Sequence, residues 1–101
     1  MKKMYVLARK DLKGSQPWVQ AIHAIAQYGI DHPDRIGKWN NHTLVVLSIK
    51  DETDLLDWEY ELSGEYPYSL FFEDWFDEYT ALAVLAEDDQ LPKLFEDLEL
   101  L

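Results

Sequence analysis

The chain predicts an α/β domain, a three-layer α/β/α arrangement around a four-stranded mixed sheet, and three observations carry that prediction. Apolar, β-branched runs alternate with stretches of helical periodicity, in the order strand, helix, strand, helix, strand, strand, helix. The run 4–8 is apolar with little alternation, as expected of a strand covered on both faces, and the run 43–49 is β-branched and apolar. The 101 residues contain no repeat, linker or low-complexity tract and so predict a single domain, 1–101.

Each element has its own signals. Met4-Tyr5-Val6-Leu7-Ala8 is a short strand, followed by a polar turn over 11–15 with Gly14 at its centre. Ser15 or Gln16 can cap a helix over 17–28, with Pro17 in the first turn and Gly29 as its stop. On that helix Gln16, Gln20, His23 and Gln27 draw a polar stripe. Trp18, Ile22, Ile25 and Gly29, with Ala21 beside them, read as its buried side. Residues 30–42 read as a loop with a short helical turn, and 43–49 as the clearest strand. Asp51 is an N-cap with Asp54 at the third helical position, and Leu55, Trp58 and Leu62 form the apolar face before Gly64. Strands follow over 68–73 and 79–86, joined by an acidic and aromatic turn, and a short helix over 91–100.

Composition narrows the function classes. There is no cysteine, which excludes disulfides and thiolate metal sites. No run is long and apolar enough for a membrane span or a signal peptide, so a cytoplasmic protein is expected. The net charge of −11 is unevenly spread: residues 1–50 hold eight of the nine Lys and Arg against three acids, and residues 51–101 hold seventeen acids and Lys93. That split allows a basic face on an acidic body, if the fold gathers the bases together. His32 and His42, near Asp31 and Asp34, lack ligand spacing, so no metal and no cofactor is expected. The basic turn Arg9, Lys10 and Lys13 before a helix start is a place to hold an anion.

In three blocks the chain resembles the type 2 peptidyl-tRNA hydrolase family. The first is Arg9-Lys10-Asp11-Leu12-Lys13 followed by Gln20-Ala21-Ile22-His23-Ala24; the second is Trp39 and then Thr43-Leu44-Val45-Val46-Leu47-Ser48-Ile49. The third is Ser69-Leu70-Phe71-Phe72-Glu73-Asp74, then Thr80-Ala81-Leu82-Ala83. The blocks keep the family's order over nearly the whole chain. Two segments depart from it. Gly14-Ser15-Gln16-Pro17-Trp18-Val19 is shorter than the family's turn and lacks its lysines. After Asp74 the chain reads Trp75-Phe76-Asp77-Glu78-Tyr79, where the family carries a Gly-Arg-Thr-Gln type run.

The resemblance implies hydrolysis of the ester between a peptide and tRNA. It implies His23 as base, Asp74 as its orienting carboxylate, Lys13 as cation and Thr80 as hydroxyl, with Arg9, Lys10, Gln20 and Trp39 contacting substrate. The plainer reading of His23 is a histidine on a solvated helix face. A non-catalytic homologue binding a nucleotide-like small molecule in the same cleft is the alternative, as is an acidic protein-interaction module. Trp75 and Phe76 would suit a homodimer contact.

Overall fold

A computed structural model describes residues 2–101. The elements are β1 (Lys3–Arg9), α1 (Gln16–Asp31), α2 (Pro33–Trp39), β2 (Thr43–Ile49), α3 (Glu52–Leu62), β3 (Tyr68–Glu73), β4 (Glu78–Ala86) and α4 (Gln90–Leu94). The sheet order is β2-β1-β4-β3, with β1 parallel to β2 and antiparallel to β4, and β3 antiparallel to β4. The parallel pair is joined by the α1–α2 crossover, as parallel strands require.

The two inner strands are buried on both faces, and alternation sorts their side chains into two cores. Met4, Val6 and Ala8 of β1 join Ala21, Ala24 and Tyr28 of α1 and Trp39 of α2. Tyr5 and Leu7 face the other way, toward Leu55 and Leu62 of α3, Leu91 of α4, and Phe95. Helices on each face of one mixed sheet make the three layers that the sequence predicts.

Three expectations are corrected. The helix expected to stop at Gly29 runs on to Asp31, and ends where His32, held out of the helical region before Pro33, takes φ −134° and ψ 64°. Gly29 instead lies where α1 and α2 approach: a Cβ there would meet Ile36 Cγ1 at 3.9 Å. The short helical turn expected within the loop 30–42 is a full second helix, Pro33–Trp39, closed by Asn40 at φ 50°. The last helix stops at Leu94 rather than at residue 100, because residues 99–101 pair with the outer side of β2: Ser48 N–H donates to Glu99 O (2.8 Å) and Leu101 N–H to Val46 O (3.0 Å). The cap at Asp51 forms as read, its carboxylate accepting the Asp54 N–H at 3.0 Å.

The buried side of α1 is also not the one its hydrophobicity suggests. Pro17, Gln20, Ala21, Ala24 and Tyr28 are buried, while Trp18 and Ile22 lie exposed. Small alanines bring the helix close to the sheet, and the polar Gln20 goes inside because partners await it there.

Candidate functional site

The organising irregularity is a β-bulge at one end of the β3–β4 hairpin. Phe71 pairs with Ala81 and Phe72 with Tyr79, so Thr80 is an extra residue on β4. The bulge turns the Thr80 hydroxyl to α1, where it donates to Gln20 Oε1 at 2.7 Å. Gln20 in turn donates from Nε2 to Glu73 Oε1 (3.0 Å) and Gln16 Oε1 (3.2 Å).

The backbone that the bulge frees is satisfied by side chains from elsewhere. The Tyr79 N–H donates to Glu52 Oε2 (2.9 Å), at the start of α3, and the Tyr79 carbonyl accepts from Arg9 Nη1 (2.9 Å). The same guanidinium forks onto Asp11, with Nε to Oδ1 at 3.0 Å and Nη2 to Oδ2 at 2.8 Å, and reaches Glu78 Oε1 at 2.9 Å. These hydrogen bonds, outweighing the burial of the guanidinium, push the Arg9 pKa up. Its hydrogen bonds hold the Asp11 carboxyl below the usual carboxylate range, with burial opposing and charge attraction adding. Glu73 and Glu78 are directly opposed in the hairpin, an arrangement that would repel. Gln20 takes up one carboxylate and Arg9 the other.

Beside this network α1 runs along β3. The His23 ring lies flat on Phe71, with centroids 4.6 Å apart and planes 3° from parallel, and the residue is exposed. Further on, Ser69 Oγ donates to Asp31 Oδ2 (2.7 Å), and His32 Nε2 lies 2.9 Å from Tyr68 O. Tyr28, fully buried, stacks at a tilt on His32 and has its phenol pushed up by burial.

Four of the sequence-predicted site residues therefore take roles other than those expected. Thr80 and Gln20 are both fully buried and bond to one another, so neither presents a polar group at the surface. Arg9 is 5% exposed and spends its donors on Asp11, Glu78 and Tyr79 rather than on an anion. Trp39 is 6% exposed in the α1 core, its Nε1–H donating to Thr43 O at 2.8 Å. His23, Asp74, Lys13 and Lys10 do lie at the surface. No hydrogen bond or ion pair among the described residues joins His23 to Asp74 or Lys13.

Sequence reasoning missed Glu73, Glu52 and Glu78 as members of the bulge network. Their signal is weak, since acids make up twenty of the residues. The other bases of the first half are partly spent too: Arg35 and Lys2 both pair with Glu87. Away from His23, in the α3–α4 layer, a groove of about 520 Å³ is lined by Asp54, Asp57, Trp58, Tyr60, Glu61 and Leu94. No group of three or more His, Asp or Glu among the described residues is placed to hold a metal ion. No helix among them is long and apolar enough to cross a membrane.

No family model matches the chain, and no curated protein matches it. Among solved structures it is similar to a protein of unknown function, Atu0240 of Agrobacterium tumefaciens strain C58, at a TM-score of 0.72 and 16% identity. The match covers 99% of this chain and 97% of that one. At that identity the likeness establishes a shared fold over the whole domain.

Proposed function

We propose that the chain is a divergent peptidyl-tRNA hydrolase-like domain of the type 2 kind, acting in the cytoplasm on the ester between a peptide and the tRNA 3′ ribose. What supports the reading is one observation: two of the sequence blocks that resemble the family meet in space. Gln20 bonds to Glu73 and Thr80, and one turn later His23 lies on Phe71. In this reading His23 takes the proton from a water attacking the ester carbonyl. It returns that proton to the ribose 3′ oxygen as the acyl C–O bond breaks, releasing the peptide acid and the tRNA. Phe71 and the Gln20 network fix the helix that carries His23. Lys13, exposed in the turn before α1, supplies positive charge for the developing oxyanion or a phosphate, and Asp74 sits at the rim of the hairpin.

The test is release of labelled peptide from peptidyl-tRNA by wild type and by His23→Ala. A wild-type rate that collapses at least about a hundredfold in the variant supports the reading. Release indifferent to His23, or none at high enzyme concentration, overturns it.

A second reading is favoured by a different observation. The α3–α4 groove offers Trp58, Tyr60 and Leu94 beside Asp54, Asp57 and Glu61, and none of these three acids has a cation of this chain as partner among the described residues. Such a surface suits an acidic protein-interaction module. It suits a phosphate-bearing nucleotide poorly, because like charges repel. Loss of binding on charge reversal in α3, with His23→Ala silent, distinguishes the two.

A further inference from the structure

We infer that the outward face of α1 is a homodimer contact, two copies of the helix packing antiparallel about a two-fold axis near its midpoint. Trp18, Ile22, Ala26 and Ile30 recur every four residues and all are exposed, the large ones at 49%, 65% and 73%. This is the step-four ridge that packs into the groove of a neighbouring helix. Trp18 also walls a shallow apolar groove with Leu44, Val45, Val46, Leu100 and Leu101, which extends the patch to β2. The exposed parts of these side chains amount to on the order of 500 Å² of apolar surface, in the upper part of the range for a monomer's largest patch, which is often functional. With its polar rim, the patch approaches the ~800 Å² per partner of a stable interface.

Two features single out a second copy as the occupant. Residues 14–30 contain no charged side chain, so a chain of net charge −11 can bring this face against itself without opposing acids. The face is also complementary to itself when reversed, as a two-fold interface must be. Antiparallel packing sets Trp18 of one copy against Ile30 of the other, and Ile22 against the small Ala26. It also brings Lys13, before the helix, toward Asp34, just after it, and opposes the two helix dipoles. The contact would run past His23, next to Ile22, and shield its ring from water on that side.

The full chain is tested by sedimentation velocity, with far-UV circular dichroism as the check on folding. The wild type should be dimeric in the micromolar range, and Ile22→Glu should raise the dissociation constant at least about a hundredfold by burying two like charges. The chain has no cysteine, so Ile22→Cys mixed with Ala26→Cys should oxidise to a mixed disulfide dimer. A wild type that stays monomeric overturns the inference. So does a dimer that survives Ile22→Glu, or one that cross-links through Trp75→Cys and not through the mixed pair.

Discussion

Replacing Thr80 by Val keeps the shape of the side chain and removes one hydroxyl. Its partner, Gln20 Oε1, is 2.7 Å away, and both residues are fully buried, so no water replaces the lost donor. Nor can the Gln20 amide turn over to compensate, because that would swing its oxygen onto the Glu73 carboxylate that its Nε2 now serves. The stranded acceptor carries its full desolvation cost, about 1–3 kcal/mol. In a domain of this size that lowers Tm by roughly 4–8 °C for each kcal/mol. Urea unfolding of wild type, Thr80→Val, Gln20→Leu and the double variant closes a cycle. The second substitution should cost distinctly less in the presence of the first, with a coupling of at least about 0.5 kcal/mol. Purely additive costs, or a Thr80→Val midpoint equal to wild type, would refute the account of the bulge.

Two further perturbations test its neighbours. Arg9→Leu strands Asp11, Glu78 and the Tyr79 carbonyl; the two acids are 39% and 44% exposed, so the loss should be about 1–3 kcal/mol, below that of a fully buried pair. Because Asp11 is held below its unfolded value, its contribution is complete above about pH 4 and is lost as pH falls through the depressed native value. The acid limb of a stability–pH curve should therefore be shallower in Arg9→Leu than in wild type. Asp51→Ala removes the acceptor of the Asp54 N–H and should cost about 1 kcal/mol by urea titration, leaving the α1 side of the sheet unaffected.

How much of this was legible depended on the range of the determinants. The strands declared themselves through runs of β-branched and apolar residues, and 68–73 and 43–49 have the bounds the residues predict. The Asp51 cap is equally local. The buried face of α1 was misread because helical periodicity ranks Trp18 and Ile22 above Gln20 and the alanines. What reverses that ranking lies 53 and 60 residues away in sequence, at Glu73 and Thr80. Arg9 shows the same limit: it reads as a basic turn residue, yet Glu78, 69 residues on, draws it inside. The bulge itself leaves no mark in the sequence, because nothing in Tyr79-Thr80-Ala81 says that one residue will fall out of register.

The pairing of residues 99–101 with β2 bears on solubility. An outermost strand offers a row of unused N–H and carbonyl groups that another chain can adopt, and β2 is apolar enough to invite it. Glu99, Leu100 and Leu101 fill part of that row over Val46 to Ser48, so the domain shields its own sheet margin with its own chain. The opposite margin, β3, is short, six residues from Tyr68 to Glu73. One margin is covered and the other is short, which limits the ladder from which a fibril could grow.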